Sequence, residues 1–309
     1  MRVLVMGTGG VGGYFGAQLA QAGNDVTFVA RGAQLAALRE RGLHVQSDLA
    51  PVQLARVNVT DNPADVGVFD IVMFCVKLWD VASAIEQIAP AVARGGLAIP
   101  FQNGIETHKT LIARLGAAHV AGGVAYITVA ATAPGVITHT GKFAKLRVGV
   151  LAGATSASLS EFVASGKAAG IDIDTVADIE RALWEKLVFL AAFSGVTAAA
   201  RQSIGALRAD ADLRALLRSS MLETVAVARA LGTMIDADYV ERQMQFVDMM
   251  PAAAQSSLLT DLAAGRRLEV QWLSGAVARM AHAAGVAAPV NATLYAILKP
   301  FADGNPRRH

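Results

Sequence analysis

Residues 7 to 12 read Gly7-Thr8-Gly9-Gly10-Val11-Gly12, directly after a short apolar run, Arg2 to Met6, and directly before a stretch of helical character, Val11 to Gln21. A G-x-G-x-x-G spacing on its own is a weak signal. Set between a strand and a helix, with a second β-rich run at Asp25 to Ala30, it is the phosphate-binding turn of a dinucleotide-binding βαβ unit. Each glycine then has a reason. Gly7 permits the tight turn, Gly9 lets backbone approach a pyrophosphate, and Gly12 allows close packing of helix on strand. The exposed N–H groups and dipole at the start of the helix, from Gly10 and Val11, attract the phosphates. The alternative is a glycine-rich turn with no ligand.

The residue at the end of the second strand selects the dinucleotide. An acidic side chain there grips the ribose hydroxyls of NAD or FAD, and this chain has Arg31. A guanidinium binds a 2′-phosphate through paired charge-assisted hydrogen bonds, so the expected cofactor is NADPH (NADP+); the bland reading of Arg31 is a surface residue opening the next loop. Two further polar positions stand at carboxyl ends of expected strands, where ligands of open α/β sheets bind. Lys77 follows the apolar run Asp70 to Val76, and Asn103-Gly104 follows Leu97 to Phe101. Either could equally be a turn or rim residue.

The pattern along the chain predicts two domains in its 309 residues. Residues 1–177 alternate strands with helices, including a helix from about Asp80 to Val92, and from Gly122 to Val150 they turn into antiparallel strands added to the sheet, with Pro134-Gly135 and Thr140-Gly141 as turns. A helix near Ser158 to Ala169 and a strand near Ile171 to Val176 close this part. Residues 178–309 show helical periodicity only, with helices expected at Asp178 to Ala200, Ala211 to Leu231, Ala237 to Phe246 and Arg267 to Ala284, glycine stops at Gly232, Gly265 and Gly285, and a polar tail from Asp303 to His309.

Composition narrows the class. Hydrophobic residues make up 54% and charged residues 17%, which excludes intrinsic disorder, and a net charge of +2 gives no broad positive field for a phosphate backbone. Nucleic acid is not an expected partner. Neither is a membrane, because the apolar run Leu187 to Ala200, flanked by Lys186 and Arg201, is shorter than a span and reads as a core helix. The single cysteine, Cys75, allows no internal disulfide and reads as a buried reduced thiol, and glycines 7 to 13 interrupt any signal-peptide core, so a cytoplasmic location is expected. Six histidines and one cysteine show no ligand spacing, and no metal is expected.

In the helical half, Lys186 precedes an apolar stretch, where a lysine is often a snorkelling boundary residue, and Ser257 and Glu269 flank Gly265-Arg266-Arg267. Spacing alone assigns them nothing. Taken together, however, Gly7 to Gly12, Arg31, Val76-Lys77, Gln102-Asn103-Gly104, Trp184-Glu185-Lys186-Leu187, Ser256-Ser257, Arg267-Leu268-Glu269-Val270 and Gly285-Val286-Ala287-Ala288-Pro289-Val290-Asn291 resemble the ketopantoate reductase (2-dehydropantoate 2-reductase) family, in order and over nearly the whole chain. The resemblance implies an α/β plus all-α protein: an N-terminal NADPH-binding Rossmann-type domain followed by a helical C-terminal domain, reducing the ketone of a small-molecule 2-keto acid. It further implies Lys186 as general acid, Glu269 as its partner carboxylate, Asn103 as the cleft asparagine and Ser257 as the binder of the substrate carboxylate. A homodimer is the one macromolecular assembly left open.

Departures from the family pattern bear on the substrate. Leu190 and Ser194 stand four and eight residues after Lys186, on the same helical face, where the resemblance implies asparagines; Gln271 and Ser274 replace an acidic residue and an asparagine; and Asp80 stands where a neutral residue would favour a 2′-phosphate. Three readings stay open: reduction of ketopantoate, reduction of a less hydroxylated 2-keto acid, and a non-catalytic NADPH-sensing protein.

Overall fold

The computed structural model describes residues 1–151 and 157–304; of the expected tail, 305–309 lie outside the described residues. The chain divides into two compact units, residues 1–102 with 106–182, and residues 103–105 with 183–309.

In the first unit, β1 (Arg2–Met6), α1 (Gly10–Gln21), β2 (Asp25–Val29) and α2 (Gly32–Arg41) lead into β3 (Leu43–Gln46), β4 (Val52–Leu54) and β5 (Asn58–Thr60). Then come β6 (Ile71–Phe74), α3 (Val81–Val92), β7 (Leu97–Pro100) and α4 (Thr107–Leu115). Strands β5, β2, β1, β6 and β7 form one parallel sheet in that order, with Val5 beside Phe28 on one side and Met73 on the other. Its central strands are uninterrupted apolar runs, as a sheet covered on both faces requires: Val3, Leu4, Val5, Ile71, Val72 and Met73 are all fully buried. This is the expected dinucleotide-binding architecture.

The hairpin of β8 (Ala121–Ala133) and β9 (Val136–Val150) departs from expectation. It does not extend the parallel sheet but builds a second one, in the order β10-β9-β3-β4 with β8 also on β9, where β10 is Asp172–Thr175, reached through α5 (Ala157–Ala168). The reason is that β9 finds a parallel partner in the distant β3, His44 opposite Val136, which local patterning does not announce. Of the two expected turns, Pro134-Gly135 makes the reversal, whereas Thr140-Gly141 lies inside β9 where the pairing register shifts, with Gly141 at φ 103°.

Helix α1 is covered by both sheets. A Cβ on Gly16 would stand 2.7 Å from the Phe28 ring and 2.8 Å from Val5, one on Gly13 2.7 Å from Ile137 of β9, and one on Gly10 2.8 Å from the Val129 carbonyl of β8. Gly13 and Gly16, beyond the phosphate motif, thus let a helix pass between two layers, and Gly10 faces β8.

The second unit is helical. Helix α6 (Ile179–Ala200) begins in the first unit and carries the chain into the second; α7 (Ile204–Ala209), α8 (Ala211–Ala230), α9 (Tyr239–Met249), α10 (Ser257–Ala263), α11 (Ser274–Ala284) and α12 (Pro289–Leu298) follow. At 22 residues α6 is long and apolar enough to cross a membrane by length and composition, yet two thirds of its most apolar window is buried inside the protein, as for a core helix. Gly232, Gly265 and Gly285 follow α8, α10 and α11 with φ of 92°, 66° and 67°, the left-handed conformation that ends helices.

The single helix expected over Arg267 to Ala284 is broken. Residues 266–269 have no regular secondary structure, Val270–Trp272 is one 3-10 turn, and α11 starts only at Ser274. The Leu268 N–H donates to the Ala302 carbonyl at 2.8 Å, so a tertiary hydrogen bond takes the donor that a helix would use. Farther on, the Glu223 carboxylate of α8 accepts from the Val290 and Asn291 N–H groups at 2.8 and 2.9 Å and from the Asn291 amide at 2.8 Å, while Ser220 donates to the Asn291 side chain at 3.0 Å. The motif around Pro289-Val290-Asn291 is therefore a helix start capped from a neighbouring helix. Glu223→Ala, which takes the acceptor from one amide donor of the fully buried Asn291 and from two helix N–H groups, is expected to cost about 1.5 to 3 kcal/mol and to lower the urea midpoint accordingly.

Candidate functional site

The phosphate turn is built by close backbone approaches. Gly7 has φ 104°, and a Cβ on it would lie 2.8 Å from the Val76 nitrogen; one on Gly12 would lie 2.3 Å from the Gly7 carbonyl and 2.8 Å from Val5. Only glycine fits either place. Thr8 is buried, donating from its N–H at 3.1 Å and its hydroxyl at 2.9 Å to the Val29 carbonyl, which ties the turn to the end of β2. Gly9 is different: it caps α1, and no atom lies within 4 Å of where its Cβ would stand. The N–H of Gly13 is the first to find an intrahelical carbonyl, that of Gly9 at 2.8 Å, so the donors of Gly10, Val11 and Gly12 precede the ladder. An open space bounded by helix N–H groups, with no acidic side chain in the first turn, fits a dinucleotide pyrophosphate.

Arg31 caps α2 with extended backbone, and its guanidinium is exposed. It pairs with Asp80, Nη2 to Oδ1 at 3.4 Å. Lys77 is exposed at the end of β6, its ammonium 5.6 Å from the centre of the Trp79 ring. The Gln102 amide donates to the Val76 carbonyl at 3.2 Å, fixing the backbone beside Lys77, while its buried oxygen has no hydrogen-bond partner. Cys75 is a free, half-buried thiol whose pKa is pushed up by desolvation, which makes it an inert wall of this turn.

Lys186, Glu269, Asn103 and Ser257 all belong to the helical unit. Lys186 is half-buried on α6, and desolvation pulls its pKa down to about 8 against the opposing effect of the nearby Glu269 carboxylate. The two residues predicted to act together are thus electrostatically coupled. Glu269 sits on the turn that interrupts the expected helix, its carbonyl accepting from Trp272 at 3.0 Å. Gly104, with φ 83°, lies against that same turn, since a Cβ on it would stand 2.9 Å from the Trp272 carbonyl, so Asn103 joins the Glu269 neighbourhood from a segment far away in sequence. Ser257 is exposed as the first residue of α10.

Two supporting residues, Tyr239 and Thr197, gave no sequence signal. The Tyr239 hydroxyl donates to the Glu185 carbonyl at 2.9 Å, holding α6 beside Lys186. The buried hydroxyls of Thr197 and Ser256 meet at 2.7 Å, and Ser256 accepts from the Leu259 N–H, which anchors Ser257 to α6. Of the departures, Leu190 is half-buried, Ser194 is buried at 1% exposure, and Ser274 packs where a Cβ on Gly195 would meet its hydroxyl at 2.8 Å.

Known proteins resemble both halves of the chain. The family model "Ketopantoate reductase PanE/ApbA" matches residues 3–153, and "Ketopantoate reductase PanE/ApbA C terminal" matches residues 178–302. The 2-dehydropantoate 2-reductase of Halobacterium salinarum is 33% identical over 298 residues, covering 95% of this chain and 96% of its own length. The crystal structure of a PanE/ApbA family ketopantoate reductase from Ralstonia eutropha JMP134 is 32% identical, with a TM-score of 0.89 over 98% of both chains. D-mandelate dehydrogenase, in a ternary structure with NADH and anilino(oxo)acetate, shares the fold at a TM-score of 0.90 with 17% identity, covering 98% of each chain. With both halves of its sequence matched in order and a relative 33% identical over nearly its whole length, this chain belongs to the ketopantoate reductase family of oxidoreductases.

Proposed function

We propose that this protein is an NADPH-dependent reductase that converts a 2-keto acid into the 2-hydroxy acid. The observation that carries the reading is a lysine, Lys186, whose pKa is drawn to about 8 beside the Glu269 carboxylate; a poised acid of this kind is what a carbonyl reduction near neutral pH needs. The Gly7-to-Gly12 turn, Arg31 and Lys77 would hold NADPH, which would supply the hydride for the carbonyl carbon. Lys186 gives its proton to the carbonyl oxygen as negative charge develops there and is left as the neutral amine. Glu269 keeps the lysine oriented, Asn103 presents an amide donor, and the Ser257 hydroxyl donates to the substrate carboxylate. A non-catalytic NADPH sensor would need only the first unit's motif, and it gives no reason for the chain to carry Lys186, Glu269, Asn103 and Ser257 as well.

Ketopantoate is the substrate class the family suggests, while Leu190 favours a less hydroxylated 2-keto acid. A substrate hydroxyl placed against Leu190 would lose one partner, at a cost of about 1 to 3 kcal/mol. NADPH oxidation with a panel of 2-keto acids is expected to show kcat/KM at least about tenfold higher for an unhydroxylated aliphatic or aromatic tail than for ketopantoate, and Leu190→Asn is expected to narrow that gap. A wild-type preference for ketopantoate, untouched by the substitution, would place Leu190 outside the substrate pocket. The expected setting is cytoplasmic, with a small molecule as partner; a homodimer is tested by sedimentation.

A further inference from the structure

We infer that Asp80 sets the cofactor preference of this protein, by occupying Arg31 in the absence of a 2′-phosphate and by repelling that phosphate when it arrives. The inference rests on the dinucleotide reading above. Arg31 lies at the end of β2 and Asp80 at the start of α3, 49 positions apart, and the fold joins them at 3.4 Å. These are the two loops at the carboxyl ends of adjacent regions of the parallel sheet, β2 and β6 each flanking β1. A guanidinium able to make a paired contact with a phosphate is therefore already engaged by a carboxylate, and a phosphate entering beside it brings up to two negative charges next to Asp80.

Asp80 is also held from behind. Its N–H donates to the Lys77 carbonyl at 2.9 Å, and the Ser83 hydroxyl donates to its own carbonyl at 3.0 Å, so its backbone cannot easily swing the carboxylate away. Its side chain is about one third exposed against 58% for Arg31, which makes the arginine the more mobile partner and the one that must change allegiance. A ligand ending in a plain ribose leaves the pair undisturbed. The consequence is a protein that takes NADPH by virtue of Arg31 with much less discrimination against NADH than an unopposed arginine gives.

The test is equilibrium binding of NADPH and NADH, read by tryptophan fluorescence, in wild type, Asp80→Asn, Arg31→Ala and the double variant, at low and high salt. Asp80→Asn is expected to tighten NADPH about tenfold and leave NADH within twofold, an effect that shrinks with salt and is smaller in the Arg31→Ala background, where only the direct repulsion of the phosphate is relieved. Binding of 2′,5′-ADP against 5′-AMP gives the same contrast without the nicotinamide. If both dinucleotides bind and the NADPH to NADH ratio is the same in wild type and Asp80→Asn, the inference is overturned while the dinucleotide site stands. If neither binds to the folded wild-type protein, the site reading itself fails.

Discussion

Lys186→Ala is expected to lower kcat by at least about 10² with NADPH binding near wild type. The lysine acts on oxygen charge that develops only in the transition state, so its loss moves kcat and not the affinity for the cofactor held by the other unit. Proton donation also fixes a pH dependence. With the pKa drawn down to about 8, the ammonium is present below that value, and kcat/KM for reduction falls as pH rises through it; oxidation of the 2-hydroxy acid, which needs the neutral amine, rises over the same range. Removing the Glu269 charge as Glu269→Gln takes away an interaction that favours the ammonium, so the fall moves to lower pH. A Lys186→Ala enzyme with unchanged kcat on every accepted substrate would show the lysine to be a boundary residue of α6.

Gly9→Ala is expected to leave folding stability unchanged and to weaken NADPH binding by roughly 10 to 150-fold. The backbone at Gly9 is φ −90°, ψ −157°, open to any residue, and nothing stands near the added methyl, so the apo protein has no reason to notice it. The methyl instead takes the space in which the pyrophosphate must approach the helix N–H groups, losing charge-assisted hydrogen bonds at about 1.5 to 3 kcal/mol. Gly12→Ala reverses the pattern. Its methyl meets the Gly7 carbonyl, and the expected outcome is about 1 to 3 kcal/mol of destabilisation seen in thermal unfolding before any ligand is added. Equal stability loss in the two variants would mean that the motif serves packing alone.

What could be read in the sequence was what is local. The glycine turn, Arg31 at the end of β2 and the helix stops are determined by neighbouring residues, and they stand where the spacing predicts. The second sheet was not legible, because the partner that draws β9 out of the parallel sheet is β3, some 90 positions earlier. The same holds for Glu269: apolar periodicity runs through Arg267 to Ala284, but the hydrogen bond from Leu268 to Ala302 breaks the helix and puts the carboxylate on a turn against Gly104. The pairing of Arg31 with Asp80, the grip of Glu223 on Asn291 and the hydroxyl contact between Thr197 and Ser256 are long-range as well, and a residue type alone states none of them.

The passage of α1 between two sheets reaches beyond packing. A phosphate-binding turn at the end of a surface helix can fray, and the ligand then bears part of the entropy of ordering it. Here Gly10 to Gly16 cannot loosen without parting β8 and β9 on one side or β1 and β2 on the other, so the turn is ordered during folding and arrives at the ligand rigid. Amide exchange from Gly13 onward, where the α1 N–H groups are hydrogen-bonded, should accordingly be as slow as in the centre of β1 with or without dinucleotide, and the ligand should slow exchange chiefly at Gly10, Val11 and Gly12, whose donors precede the ladder, and in the exposed loops around Arg31 and Lys77.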